Sequence, residues 1–138
     1  MTGESYNGSN DDFAVTRYNA NGTLDTSFGI GGSAVLDFAG STDNSVKVAI
    51  QNSEVDGATE VRIILAGFTL VGDNYDFAMA RFLSNGQLDT SFGNQGKRVT
   101  SVTSSTDAIH AFAIQADGRI LAGGFSHSST DDDFALAR

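Results

Sequence analysis

The phrase GTLDTSFG occupies Gly22–Gly29 and GQLDTSFG occupies Gly86–Gly93, so seven of eight residues recur 64 positions later. The match is longer than this phrase, because DDFAVTRYNANGTLDTSFGIGG from Asp11 aligns without a gap with YDFAMARFLSNGQLDTSFGNQG from Tyr75. The opening recurs a third time as DDFALAR at Asp132–Arg138. A repeat of this size is typical of a supersecondary unit that buries its faces by stacking on copies of itself.

The repeat accounts for the whole chain, which we interpret as a single domain. Repeat one covers about 11–74, repeat two covers about 75–131, and a third begins at 132–138, so the period is 64 and then 57 residues. The extra length of repeat one lies at 52–60, NSEVDGATE, where repeat two has the short turn ADG at 116–118. We therefore predict an insertion into one hairpin loop.

Composition and turn signals favour strands throughout. The chain of 138 residues has 16 glycines and no proline, and Ser, Thr, Asp and Asn outnumber the residues that favour helices. Each unit divides into four predicted strands. Around repeat two these are Lys97–Val102, in the last-strand position of the preceding unit, then Ile109–Gln115, Arg119–Phe125 and the stretch from Asp133.

Three dipeptides mark the hairpins between these strands. They are Asn21-Gly22, Asn85-Gly86 and Asp117-Gly118. Each is a strong signal for a two-residue hairpin, and we expect type I′ turns.

The third strand of each unit separates large from small side chains. In DFAMAR, the residues Phe77, Met79 and Arg81 point to one face while Ala78 and Ala80 point to the other. The other two copies keep this division, and neither face has the polar character of a solvent-exposed surface. A sandwich with a duplicated strand pair would instead have one polar face per strand. We therefore predict an all-β fold of propeller blades, each of four antiparallel strands, with two repeats and one extra strand per chain.

The succession DFAxxR, NGxLDTSFG, AIQ and DGRILAGG resembles the bacterial delta-60 repeat family over essentially the whole chain. That resemblance implies β-propeller units in large, surface-associated or secreted proteins whose activities are mostly uncharacterised. It therefore implies an extracellular or cell-surface location, although the polar N-terminus has neither the basic nor the apolar part of a secretion signal.

Six residues of the repeated motif are predicted to serve the blade itself. We expect Arg and Asp to form an ion pair within one blade, or Asp to cap its own loop, and Phe to plug the blade edge. A residue present in every blade is expected to be structural, so we assign no catalytic, cofactor-binding or metal-binding residue. The six are Arg17, Asp25 and Phe28 in repeat one, and Arg81, Asp89 and Phe92 in repeat two.

Acidic clusters precede each DFA strand, and oxygen-rich loops of this kind would suit Ca²⁺. Their spacing matches no known calcium motif, so a turn without metal is the preferred interpretation and we expect no cofactor. The Asp directly before each Phe recurs in register and is assigned to the fold, which leaves the irregular acidic residues as metal candidates. The clusters are Asp11 and Asp12; Asp73, Asn74 and Asp76; and Asp131, Asp132 and Asp133.

Two further groups of polar residues bear on the function. Glu54, Asp56 and Glu60 of the inserted segment are unique to one repeat, and we expect them to form an interaction surface. His110 and His127 are the only histidines, and their contexts differ. No nucleophile elbow, phosphate-binding loop or zinc-ligand spacing is present.

Charge and hydropathy restrict the partners. The net charge of −9 repels nucleic acid and anionic lipid, so neither is an expected partner. The longest apolar run, Ile63–Val71, is far shorter than the roughly 20 residues of a membrane-spanning helix. The chain has no cysteine and therefore gives no indication of its redox environment.

Two classes of function follow from these features. The first is a non-enzymatic scaffold that binds a protein or glycan, or assembles, through loops and blade edges. The alternative is a carbohydrate-active propeller enzyme or a carbohydrate-binding adhesin domain, and the enzyme would require unique carboxylates that break the repeat. Propellers close with about four to eight blades. We therefore expect a homo-oligomer, for example three chains giving six blades, or the remainder of a longer propeller chain.

Overall fold

The computed structural model describes residues 1–55, 57–128 and 130–138. These residues form ten β-strands and no helix. The strands are β1 Thr2–Tyr6, β2 Asp11–Thr16, β3 Ser33–Leu36, β4 Asp43–Val55, β5 Ala58–Val71, β6 Asn74–Leu83, β7 Lys97–Thr100, β8 Asp107–Ile114, β9 Ile120–His127 and β10 Asp132–Ala137.

The ten strands form three antiparallel sheets. The first sheet has the order β1-β2-β3, the second β4-β5-β6-β7 and the third β10-β9-β8. The all-β architecture and the antiparallel blades predicted from the repeat are confirmed. The four-stranded second sheet spans residues 43–100. Sheets and sequence repeats are therefore out of phase, because the DFA segment that opens a repeat is the third strand of a blade.

The pairing register of the strands shows which strands of the three sheets are equivalent. Gly3 lies opposite Ala14, Gly67 opposite Ala78 and Gly124 opposite Ala135. Accordingly, β1–β3 correspond to the second, third and fourth strands of the second sheet, and β8–β10 correspond to its first three. The predicted extra strand at 132–138 is the third strand of this last sheet.

The core lies between the sheets, as the two-faced strands predict. Phe13 and Val15 of the first sheet belong to one buried cluster with Ala78 and Ala80 of the second. On the other face of β6, Phe77 shares a second buried cluster with Ala122 and Ala135 of the third sheet, together with Met79 and Ile109. Large side chains of one sheet thus pack on small ones of the next, and this arrangement occurs at both junctions.

The predicted type I′ turns are wrong. Such a turn needs positive φ at both central residues, whereas only the glycines Gly22, Gly86 and Gly118 have positive φ in these hairpins. In the last of them, Gly118 N–H donates to the Gln115 carbonyl (2.9 Å), and Gln115 N–H donates to the Arg119 carbonyl (2.8 Å). This is a three-residue hairpin that ends on a left-handed glycine, which lets Asn or Asp keep ordinary negative φ.

The described part of the inserted segment, residues 52–55 and 57–60, extends β4 and β5, where a loop was expected. Asn52 lies opposite Val61, Ser53 opposite Glu60, and Glu54 opposite Thr59. The ladder of β4 and β5 therefore extends beyond the length of the corresponding β8–β9 hairpin. Asp56, the middle member of the predicted acidic group, lies outside the described residues.

Candidate functional site

The repeated Arg and Asp of each LDTSFG motif meet in both copies. Arg17 Nε lies 2.8 Å from Asp25 Oδ2, and Arg81 Nε lies 2.8 Å from Asp89 Oδ2. The second carboxylate oxygen of Asp25 accepts hydrogen bonds from the hydroxyl and backbone N–H of Ser27. The ion pair and the loop cap, which the sequence presented as alternatives, are thus present together.

The same arginines cover the motif phenylalanines. The Arg17 guanidinium carbon lies 4.8 Å from the ring centre of Phe28, and that of Arg81 lies 4.9 Å from the ring centre of Phe92. Phe28 is completely buried, whereas Phe92 is partly exposed. The motif therefore joins an ion pair to a cation–π contact on one blade edge.

The motif of repeat one also joins two sheets. Arg17 Nη1 donates to the Ser84 carbonyl (2.5 Å), and Gly29 N–H donates to the Asn85 carbonyl (2.8 Å). A Cβ atom on Gly86 would lie 2.6 Å from the Gly29 nitrogen, so glycine is required at this contact. The prediction placed Arg17 within one blade, but it also anchors the hairpin of the next blade.

The motif of repeat two gains a second arginine that sequence reasoning missed. Arg62 Nε lies 2.9 Å from Asp89 Oδ2, and Arg62 Nη2 lies 2.7 Å from Glu60 Oε2. Glu60, predicted to belong to an interaction surface, is thus engaged within its own sheet. Arg62 recurs as Arg119 in repeat two, and this recurrence is the feature of the sequence from which a structural role of Arg62 could have been predicted.

The pKa values of the two motif carboxylates are lowered to different extents. Burial raises the pKa of Asp89, but hydrogen bonds from Ser91, the charge of Arg81 and a hydrogen bond from Arg62 outweigh it and lower the pKa to about 2. For Asp25, the Ser27 hydrogen bonds lower the pKa, with a smaller contribution from Arg17. Both carboxylates are therefore held in the ionised form, which suits a structural ion pair better than proton transfer.

Three aspartates gather between the first two sheets. Asp12, Asp37 and Asp43 each place a carboxylate oxygen within 4.8 Å of the other two. Asp12 and Asp43 are buried, and Asp37 is exposed. The corresponding residues between the second and third sheets are Asp76, Ser101 and Asp107, so Asp37 is the member that breaks the repeat.

The oxygens of this cluster accept hydrogen bonds from the protein. Asp43 accepts from the Thr69 hydroxyl and from Phe38 N–H, the latter at 2.7 Å. Asp12 accepts from the Asn7 side-chain amide at 3.1 Å. Burial raises the pKa of Asp43, and the charges of Asp37 and Asp12 raise it further. At the other junction, burial likewise raises the pKa of Asp76.

The irregular acidic residues named as metal candidates are not in this cluster. Asn74 Nδ2 donates to the Ser104 carbonyl (3.3 Å), and Asp131 accepts from the Ser128 hydroxyl (2.6 Å). The recurring Asp12, which was assigned to the fold, is the residue that joins the group. Asp43 and Asp107 were missed, although they recur after Thr in both repeats.

The two histidines have separate partners. The His110 ring packs edge-on against Phe125, with 5.3 Å between ring centres. His127 Nδ1 lies 2.8 Å from Asp132 Oδ1 at an exposed site. Neither histidine contacts the carboxylate cluster or the LDTSFG motifs in these interactions.

The outer face of the third sheet forms an apolar cleft of about 640 Å³. Phe134 is 93% exposed and Leu136 is 62% exposed on this face. They occupy the positions of Phe77 and Met79, which the third sheet buries in the neighbouring junction. The face that is covered on the second sheet is thus open on the third.

A second cleft, of about 540 Å³, lies between the second and third sheets beside Phe92. Its walls include Phe77 and Ile120, and its rim carries Arg98 and Arg119. Arg119 pairs with Asp117. At the first junction, the hairpin around Asn85 covers the corresponding position beside Phe28.

The segments 2–28, 62–92 and 115–138 match the family described as "Domain of unknown function (DUF5122) beta-propeller". The chain belongs to this beta-propeller family. These segments contain both LDTSFG motifs up to the phenylalanine, and all three DFA strands. No match was found among the curated proteins or among the solved structures. Among the described residues, no helix has the length and hydropathy needed to cross a membrane.

Proposed function

We propose that this β-propeller chain is a non-enzymatic scaffold that assembles and binds partners through its loops and blade edges. The observation that carries the proposal is the open outer face of the third sheet. Phe134 and Leu136 repeat a pattern that elsewhere in the same chain forms a buried contact between blades. Exposed apolar faces of this kind mark interaction sites.

The partners of the scaffold follow from this surface and from the charge of the chain. A homo-oligomer, or further blades of a longer propeller chain, would cover the apolar face. Loops at the sheet ends would then remain available for a protein or glycan ligand. An acidic chain of net charge −9 is unsuited to nucleic acid. The resemblance to delta-60 repeats supports an extracellular or cell-surface location.

The residues support a scaffold more than an enzyme. The lowered pKa values of Asp25 and Asp89 accompany ion pairs that recur in both repeats. Catalysis would require groups whose environments differ between blades and whose protons can move. Asp37 does break the repeat, but its neighbours Asp12 and Asp43 are buried and accept hydrogen bonds from the protein.

The test is the solution mass of the chain by light scattering over a range of concentrations. We expect association, and we expect Phe134→Asp to abolish it by placing a charge in the contact. Ile30→Asp is the matched control, because Ile30 is also 93% exposed but lies outside this face. A wild-type chain that stays monomeric, or a Phe134→Asp chain that still associates, would contradict the proposal.

A further inference from the structure

Three Asn-Gly pairs lie in turns of the chain, and they differ in the hydrogen bonding of the glycine nitrogen. The pairs are Asn7-Gly8, Asn21-Gly22 and Asn85-Gly86. Gly22 N–H donates to the Asn19 carbonyl (2.9 Å), and Gly86 N–H donates to the Leu83 carbonyl (3.0 Å). Gly8, in the turn between β1 and β2, donates its N–H to no residue that the structure describes.

The side-chain amide of Asn7 is held at both ends. Its oxygen accepts the backbone N–H groups of Ser9 (2.9 Å) and Asn10 (3.1 Å). Its nitrogen donates to the Asn10 side chain and, at 3.1 Å, to both carboxylate oxygens of Asp12. The orientation of the amide is therefore fixed, since only its oxygen can accept and only its nitrogen can donate.

This arrangement favours attack on the amide carbon. The backbone nitrogen of a residue that follows asparagine can attack the side-chain carbonyl carbon, and negative charge then develops on the amide oxygen. The two N–H groups on Asn7 Oδ1 stabilise that charge as an oxyanion hole does. No side chain shields the nitrogen of Gly8, and a Cβ atom placed there would meet nothing within 4 Å. The attacking atom is thus accessible, and the attacked carbonyl is polarised.

We propose that Asn7 is a self-modification site, at which the amide is converted to aspartate and isoaspartate without an enzyme. The Gly8 nitrogen forms a bond to Asn7 Cγ, the bond from Cγ to the amide nitrogen breaks, and ammonia leaves with the proton that Gly8 gives up. A succinimide ring remains. Water then adds to either ring carbonyl, which restores the Gly8 N–H and leaves a carboxyl group. This inference is independent of the proposed assembly.

The third sheet forms the same hydrogen bonds without the reactive amide. Ser128 aligns with Asn7 in the repeat. Its N–H donates to the Asp131 carbonyl (2.7 Å), just as Asn7 N–H donates to the carbonyl of Asn10 (3.0 Å). The Ser128 hydroxyl also accepts the N–H groups of Thr130 and Asp131. Serine can therefore make these contacts, and the amide at position 7 is not required for them.

Conversion of Asn7 changes the charge beside the cluster formed by Asp12, Asp37 and Asp43. The group that donates to Asp12 becomes a carboxylate, so repulsion between like charges replaces a hydrogen bond. We expect Asn7→Asp, which reproduces one product, to lower the melting temperature by about 2–5 °C relative to Asn7→Ser. Equal melting temperatures for the two variants would contradict the coupling to Asp12.

The test follows the loss of ammonia from each Asn-Gly pair in the full chain, incubated at mildly alkaline pH and then digested with trypsin. The three pairs fall on separate peptides, residues 1–17, 18–47 and 82–97, whose mass changes when the amide NH2 becomes OH. We expect Asn7 to react at least about fivefold faster than the other two asparagines, because their glycine nitrogens must first break a hydrogen bond.

The control is the same incubation in guanidinium chloride, where the three pairs should react within about twofold of one another because the structural difference is lost. In the folded Asn7→Ser chain, peptide 1–17 should keep its mass. Wild-type peptide 1–17 should yield both aspartate and isoaspartate, since water can open either side of the ring. Reaction at Asn7 no faster than at the other pairs in the folded chain, or aspartate as the sole product, would overturn the inference.

Discussion

At the scale of single residues, the two LDTSFG motifs differ in their arginines. Among the residues that the structure describes, Asp25 forms an ion pair with Arg17 alone, whereas Asp89 pairs with both Arg81 and Arg62. Asp89 is also the more buried of the two carboxylates. The two nearly identical motifs therefore differ in the number of arginines that pair with their aspartate. Only the second motif lies beside Arg62 of β5.

We expect Asp89→Asn to destabilise the chain at neutral pH by about 2 kcal/mol or more, from the difference between the unfolded pKa of 3.8 and the folded value of about 2. Because the folded pKa is depressed, this stability is present above pH 4 and is lost as the pH falls from about 4 to about 2. Urea unfolding of wild type and variant across that range is the measurement.

Asp25→Asn is the control for this experiment, since it removes the same group from the less buried motif. It should cost less at neutral pH. Equal losses for the two variants at neutral pH would show that Arg62 adds nothing to the Asp89 site.

At the scale of strands, close backbone contacts decide which glycines are essential. Gly67 in β5 and Gly3 in β1 are equivalent by register, but only Gly67 faces an inner strand. The same residue type at equivalent positions thus has a different energetic role in each sheet.

We expect Gly67→Ala to lower the stability by about 1–3 kcal/mol or more, because its Cβ cannot be accommodated without moving β4. Gly3→Ala should leave the melting temperature of the isolated chain nearly unchanged or slightly raised, because its Cβ enters open space. Thermal melts followed by circular dichroism compare the two. A Gly67→Ala chain with the same melting temperature as the wild type would contradict the close approach of β4.

Also at this scale, the turn between β3 and β4 brings like charges close together. Asp37 raises the pKa of the buried Asp43, which means that the two carboxylates repel each other at neutral pH. Asp37 Oδ1 also accepts the N–H groups of Ala39 and Gly40, a role that an asparagine oxygen can keep.

We therefore expect Asp37→Asn to raise the melting temperature by about 1–3 °C at low salt in the presence of a chelator. The gain should shrink as ionic strength rises, because Asp37 is exposed and screened. A lower melting temperature for the variant would contradict repulsion within the cluster. Asp73→Asn, in an exposed turn, is the control.

At the scale of the whole molecule, blades stack with a fixed polarity. The large-residue face of the first sheet meets the small-residue face of the second, and the second meets the third in the same way. The third sheet leaves its large-residue face open, and the first leaves the small-residue face that carries Ala14. A second copy could therefore continue the stack head to tail, and such heterologous contacts close into rings when the rotation permits.

This polarity changes the expected assembly. Each chain contributes three sheets, so two copies give six, within the range of about four to eight for propellers. Three copies would give nine, which lies outside it. We expect the smallest closed species to have twice the chain mass of 14.4 kDa, and light scattering coupled to size-exclusion chromatography measures it. A closed trimer would contradict the head-to-tail stack with all three sheets in the ring.

The repeat, the antiparallel strands and the division of β6 into a face of large and a face of small side chains could be predicted from the amino-acid sequence. These features depend on local spacing, because side chains alternate along a strand and LDTSFG fixes the register of each copy. The pairing of Arg17 and Arg81 with their aspartates could also be predicted, since a separation of eight residues across a hairpin places the strand beside the loop.

Whether two copies of a repeated residue have the same environment depends on the packing of the sheets and could not be predicted from the repeat. Phe77 is buried and Phe134 is open, although their local sequences agree, because burial depends on whether another sheet lies against that face. Asp12 of the first sheet meets Asp43 of the second, and Arg62 reaches Asp89 across 27 residues of the chain. Local spacing cannot encode such contacts, since they depend on how the blades pack.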